Sequence, residues 1–100
     1  MRDEAEANGR ALTRLNQVLD QLLGPEGCPW DKAQNPESLC VYALEEMYEL
    51  IDAVRRQNPA DQREELGDVL FILLFMARLW SGNGCFTLAE AMEENRGKMM

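Results

Sequence analysis

Residues 61–80 read DQREELGDVLFILLFMARLW, and this stretch decides the fold class. From Asp68 onward almost every residue is apolar, including the unbroken run of nine at 69–77. A membrane-spanning helix needs about 20 such residues, so we expect this run to be a buried helix or strand of a folded domain. As a helix it has no polar side, which predicts that other helices surround it.

Three further segments show helical periodicity. In the first, at about residues 4–23, leucines recur at steps of three and four. The next begins at Asn35, a good capping residue that is followed by a proline suited to the first helical position. The last begins at Thr87, which has Glu90 at the spacing of a capping box, and it extends to about Lys98.

Glycine and proline residues separate these segments, and the Gly/Pro-rich stretch 24–35 is predicted to be a loop. The pair Asn58-Pro59 is expected to end the second helix, so that the third begins near Asp61. Four helices with short links predict an all-α fold, a four-helix bundle. Because the bundle is small and its third helix is so apolar, we expect a second copy of the chain to cover it.

Length, charge and composition restrict the function. A chain of 100 residues makes one domain, and its net charge of -8 argues against binding to nucleic acid or to an anionic membrane surface. It has no histidine, which removes Ser-His and Cys-His nucleophile pairs and His-rich zinc sites. The three cysteines have no C-x-x-C spacing, and no apolar leader is visible, so we expect reduced thiols and a cytoplasmic location.

The acidic residues of the second and third helices are the candidate functional groups. One sector of the second helix carries four of them, namely Glu45, Glu46, Glu49 and Asp52. On the third helix, Glu65 and Asp68 begin stripes that continue as apolar residues, so a straight helix would aim both carboxylates at the bundle interior. An unpaired ionised carboxylate out of water costs several kcal/mol. The groups are therefore protonated, or a divalent cation lies among them, unless both faces are simply solvated.

The spacing suits a cation. Side chains at i and i+3 on a helix have Cβ atoms about 5–6 Å apart, so Glu46 and Glu49 could converge with Glu65 and Asp68 between antiparallel neighbours. Carboxylate ligands with water in the open positions favour Mg²⁺ or Mn²⁺. Since Mg²⁺ prefers to share itself with substrate phosphates, the arrangement points to a phosphate-bearing substrate.

Three motifs in this order resemble those of the MazG-like nucleoside triphosphate pyrophosphohydrolases. They are GPEGCPWD at 24–31, followed by Ser38-Leu39; LEEMYELIDA at 44–53; and EELGDVLF at 64–71. A single E-x-x-E would be a weak signal, but the three motifs at these separations are specific. The resemblance implies one MazG-like domain over residues 1–100, assembled as a homodimer or a larger homo-oligomer.

The resemblance also implies the reaction and its residues. It implies Mg²⁺-dependent cleavage of the α–β bond of a nucleoside triphosphate, which gives the monophosphate and pyrophosphate, with Mn²⁺ able to substitute. In the family's pattern the metal ligands match Glu46, Glu49, Glu65 and Asp68. Glu45 matches a glutamate that could bind a second ion, orient the water or act as the base. Asp52 is a candidate outer-shell group, with a solvated surface residue as the alternative.

The chain has few basic residues that could bind a negatively charged triphosphate. Lys32 in the loop and Lys98 near the chain end are the candidates, and Lys98 matches a family lysine that contacts phosphate. The family pattern continues beyond this lysine, whereas the sequence ends at Met100. Trp30 could stack on a base or cover the end of the bundle. Gly67, inside a helix, suggests close helix approach beside the metal site.

Two other functions stay open at this point. The chain could be a non-catalytic acidic helical module that binds a partner or senses nucleotide, since basic residues are few. It could also be a related all-α phosphohydrolase acting on dUTP or on a phosphoribosyl nucleotide. The sequence does not determine the preferred base or sugar.

Overall fold

A computed structural model describes residues 2–100 of the chain. The elements of this range are helices: α1 (Arg2–Leu22), α2 (Pro29–Lys32), α3 (Pro36–Arg55), α4 (Pro59–Gly82) and α5 (Leu88–Met99). The all-α prediction is confirmed, while the four-helix bundle stays a prediction. The stretch 24–35 is not wholly a loop, because α2 forms a single turn within it with Pro29 at its start.

Local capping sets where the long helices begin. The Asn35 side chain accepts a hydrogen bond from the Ser38 backbone N–H at 2.8 Å, and Ser38 Oγ accepts one from the Asn35 N–H at 2.9 Å. Thr87 and Glu90 form the same reciprocal pair at α5, as their spacing predicted. Helix α4 begins at Pro59, earlier than the predicted start near Asp61, because Asn58 caps α4 rather than ending the preceding helix.

The chain divides into two units, the first reaching to Gln34 and the second running from Asn35 to Met100. In the first unit, the loop after α1 folds back on the end of that helix. The Cys28 N–H donates to the Leu22 carbonyl at 3.0 Å. A Cβ on Gly27 would lie 2.0 Å from that carbonyl oxygen, so only glycine fits this close approach.

In the second unit, α3 and α4 pack against each other, and α4 also contacts α5. The link between α3 and α4 is only residues 56–58, so the two helices form an antiparallel hairpin. Phe75 and Met76 are buried, whereas Phe71 is half-buried and contacts the Phe75 ring edge-on, with centroids 6.2 Å apart. The turn before α5 brings Trp80 and Phe86 together, with ring centroids 5.1 Å apart.

Helix α4 is not surrounded on every side within this chain. Its C-terminal half is largely buried, but Leu66, Leu70 and Leu73 are each about half exposed (49%, 52% and 49%). The expectation that a second copy of the chain covers α4 stays a prediction. None of the helices over residues 2–100 is long and apolar enough to cross a membrane. The three cysteines are free thiols.

Candidate metal centre

The antiparallel hairpin places the acidic sector of α3 opposite the first turns of α4. Glu46 lies ten residues before the start of the link at Arg56, and Asp68 lies ten residues after its end at Asn58. Residues equally far from a short link face each other in such a hairpin. This geometry, rather than either helix alone, brings acids from both helices to one place.

Three carboxylates meet there. One oxygen each from Glu46, Glu65 and Asp68 lies within 4.8 Å of the others. Glu46 and Glu65 are half-buried, but Asp68 is exposed, so the expectation that both acids of α4 point into the interior is wrong for Asp68. The group is thus an acidic centre at the edge of the hairpin, open to solvent on one side.

Burial and crowding disfavour the ionised form of two of these acids. Loss of solvation is the largest cause that raises the pKa of Glu46 above its ordinary value of 4.5, followed by the charge of Asp68 and then that of Glu49. The same causes, in the same order, raise the pKa of Glu65. Neighbouring acids thus act on Glu46 and Glu65 with the same sign of charge, and a bound cation would relieve this repulsion.

The other two predicted acids lie beside this group. Glu49 is exposed and does not join the three described oxygens that lie within 4.8 Å of one another. Its charge nevertheless raises the pKa of both Glu46 and Glu65, so it is close enough to act on the centre. Glu45 is exposed and contributes a smaller repulsion to Glu46.

The donor set fits a hard divalent cation. All the donors are carboxylate oxygens, they come from two helices, and the exposed side leaves room for waters or phosphate oxygens. Mg²⁺ and Mn²⁺ prefer such oxygen ligands and commonly keep part of their coordination for substrate.

Asp52 belongs to a different contact. Its carboxylate accepts a hydrogen bond from Arg56 Nε at 2.9 Å, and Arg56 Nη1 donates to Asp61 at 2.8 Å. Neither Arg56 nor Asp61 was singled out from the sequence. The i,i+4 spacing of Asp52 and Arg56 is a signal that could have identified half of this bridge.

The three predicted substrate-binding residues lie on two elements, α2 and α5. Lys32 ends α2 and its Nζ donates to the Pro25 carbonyl at 3.3 Å, while Trp30, in the same turn, is 50% exposed. Lys98 lies in the last turn of α5 and is exposed.

Gly67 does not mark a close helix contact. A Cβ built at this position would meet no described atom within 4 Å, and the residue is exposed. The prediction of close helix approach at Gly67 is therefore wrong within this chain.

Comparisons with known proteins match this chain to one family. A family model described as the MazG nucleotide pyrophosphohydrolase domain matches residues 34–100. The nucleoside triphosphate pyrophosphohydrolase/pyrophosphatase MazG of Thermotoga maritima is 38% identical over 92 residues, which are 92% of this chain and 36% of that protein. The nucleoside triphosphate pyrophosphohydrolase of Escherichia coli K12 is 43% identical over 76 residues, or 75% of this chain and 29% of that protein.

A solved structure is similar as well. The crystal structure of a mazG-related protein from Thermotoga maritima superposes with a TM-score of 0.76 at 26% sequence identity, covering 87% of this chain and 75% of that one. The chain spans 36% of the length of one of the two curated relatives named above and 29% of the other.

Proposed function

This chain belongs to the MazG nucleotide pyrophosphohydrolase domain family, and from that premise we propose that it hydrolyses nucleoside triphosphates, ribo- or deoxyribo-, to the monophosphate and pyrophosphate. The observation that carries the proposal is the meeting of Glu46, Glu65 and Asp68 within 4.8 Å on two antiparallel helices. Acids of two separate helices converge there, and burial and like charges raise the pKa of Glu46 and Glu65, which is a repulsion that a bound cation would relieve.

The acidic centre is the proposed site of Mg²⁺, with Mn²⁺ able to substitute. Glu46, Glu65 and Asp68 would hold the ion, and Glu49 would join them through a change of side-chain rotamer. When bound, the cation neutralises charge on phosphate oxygens and lowers the pKa of a coordinated water. This requirement also explains how a chain with a net charge of -8 can accept a polyanionic substrate.

The remaining predicted residues would bind and orient the substrate. Exposed Glu45 would accept the proton of the attacking water, because its charge acts on Glu46 while its carboxylate is not one of the three grouped acids. Lys32 and Lys98 would contact the triphosphate. The half-exposed ring of Trp30 would stack on the base.

The exposed apolar face of the hairpin supports a homo-oligomer. Val41, Leu44 and Tyr48 are 59%, 59% and 64% exposed and follow one face of α3. Leu66, Leu70 and Leu73 form a similar stripe on α4. We expect a second copy to cover these stripes, and light scattering at micromolar concentration tests this. A monomeric mass would contradict it.

Product analysis tests the activity. A panel of standard and modified triphosphates is incubated with the chain in Mg²⁺ or in EDTA, and products are separated by chromatography. We expect monophosphate and pyrophosphate in Mg²⁺ only. Glu49→Gln and Asp68→Asn should abolish pyrophosphate release while the circular dichroism spectrum stays helical. Unchanged turnover in both variants would refute the assignment.

A further inference from the structure

The link between α3 and α4 carries a polar bridge that the proposed reaction does not use. Arg56, the C-cap of α3 and the first residue of the link, donates through Nε to Asp52 Oδ2 at 2.9 Å and through Nη1 to Asp61 Oδ2 at 2.8 Å. Asp52 lies on the last turns of α3, and Asp61 lies on the first turn of α4. One guanidinium therefore ties the end of one helix to the start of the next.

Other contacts at the link also connect the end of α3 to the start of α4. Gln57 has a φ of 56°, the left-handed conformation that reverses the chain between the helices. The Asp61 N–H donates to the Asn58 side chain at 3.1 Å, and Gln62 Nε2 donates to the Ala53 carbonyl at 3.3 Å. The first turn of α4 is thus held against the last turn of α3 by side chains as well as by the backbone.

The bridge lies close to the acidic centre along both helices. Asp52 follows Glu46 by six residues, and Asp61 precedes Asp68 by seven. At about 1.5 Å per residue these separations are about 9 Å and about 10.5 Å. A slide of α4 by one residue would move Asp68 by about 1.5 Å relative to Glu46. Mg²⁺ demands ligand distances of about 2.0–2.1 Å, so such a slide would break the ligand set.

Electrostatics favour separation of the two helices at the centre. Glu46 and Glu49 on α3 face Glu65 and Asp68 on α4, and these four groups carry the same charge. A positive group that holds both helices close by offsets this repulsion before a cation arrives. Arg56 contacts an acid of each helix in this region.

We propose that Arg56 is a positioning residue for the metal centre: its bridge from Asp52 to Asp61 fixes the register at which Glu46 meets Glu65 and Asp68. This inference rests on the proposed metal-dependent function. Exposed ion pairs contribute little to the free energy of unfolding, and the three bridge residues are 43–64% exposed. The effect of losing Arg56 is therefore expected in metal affinity rather than in global stability.

Variants with matched charge changes distinguish a positioning role of Arg56 from a general effect of charge on metal binding. Removal of any arginine near the centre makes it more negative, which by itself would tighten binding of a cation. Arg55→Ala makes that same charge change one residue earlier, at an exposed arginine outside the bridge. Arg56→Lys keeps the charge but presents one ammonium group in place of the planar fork that reaches two carboxylates. Ala91→Gly, in α5, supplies a helix-destabilised control with the bridge intact.

The measurement is Mn²⁺ affinity by isothermal titration calorimetry on the 100-residue chain at fixed ionic strength. We expect Arg56→Ala to weaken binding about three- to tenfold, since loss of a nearer supporting group in metal sites costs about 10–100-fold. Arg56→Lys should fall between Arg56→Ala and the unsubstituted chain. Arg55→Ala should bind equally well or slightly tighter, and Ala91→Gly should bind as the unsubstituted chain does.

The outcomes distinguish this inference from the proposed function. Binding by Arg56→Ala that is as tight as that of Arg55→Ala would overturn the positioning role and leave the metal centre standing. An equal loss in Ala91→Gly would also overturn it, because the loss would then follow stability alone. No Mn²⁺ binding by the unsubstituted chain would overturn both proposals.

Discussion

Neutralising Glu65 should have opposite effects on the chain with and without metal. Glu65→Gln keeps the shape of the side chain but removes one of the three charges that lie within 4.8 Å. Without metal, we expect the variant to be more stable, because burial and neighbouring acids raise the pKa of Glu65 and so disfavour its ionised form. With metal, we expect it to be less stable than the unsubstituted chain, because a ligand is lost.

The size of the metal effect follows from mass action. At a Mn²⁺ concentration one hundred times the dissociation constant, the unsubstituted chain gains about 2.7 kcal/mol of unfolding free energy. If the affinity of the variant is about a hundredfold weaker, its gain at that concentration is RT ln 2, about 0.4 kcal/mol. For a domain of this size, the difference of about 2.3 kcal/mol corresponds to about 10–20 °C in the metal-induced rise of Tm.

Thermal unfolding followed by circular dichroism, in EDTA and in Mn²⁺, measures both effects. Glu64→Gln is the matched control, since it makes the same change at the preceding, exposed position of α4, outside the three grouped acids. It should keep the full metal-induced rise in Tm. If Glu65→Gln kept the same rise as Glu64→Gln, Glu65 would not be a ligand and the reasoning from the acidic centre would fail.

Three further predictions concern pH and two glycines. Because the pKa values of Glu46 and Glu65 are raised above 4.5, their contribution to stability is fully present below that pH and is lost as the pH rises through the folded-state values. In EDTA, the stability advantage of Glu46→Gln over the unsubstituted chain should therefore grow above pH 4.5; urea titrations that show no growth would contradict this. Gly67→Ala should raise the free energy of unfolding by about 0.5–1 kcal/mol, as a Cβ there meets nothing within 4 Å; a loss of stability in the same titration would show an unseen contact. Gly27→Ala should lower it by about 1–3 kcal/mol, since the Cβ would lie 2.0 Å from the Leu22 carbonyl; an unchanged urea midpoint would mean that the loop relaxes freely.

The candidate site was predictable to the level of residue type and helix face. The spacing of Glu46 and Glu49, and of Glu65 and Asp68, follows from helical geometry alone. The spacing does not give the distance between the two helices or how deeply each carboxylate is buried. Asp68 is exposed although its helix is apolar further along, because the burial of α4 is confined largely to its C-terminal half. Gly67 also lies outside the largely buried C-terminal half of α4, so the space beside it is open, and the sequence pattern does not reveal this.

The sequence by itself determined the four long helices, the caps at Asn35 and Thr87, and the family. Helix caps and leucine periodicity both involve residues only three or four apart, so the local sequence predicts them. The capping box of Asn35 with Ser38 is an example. Only the tertiary structure decided which acids of the two helices meet, and that Asp61 on α4 completes the bridge that Arg56 begins at Asp52. These contacts depend on the register between α3 and α4, and register is set by packing and by the link, whose energies involve residues on different helices.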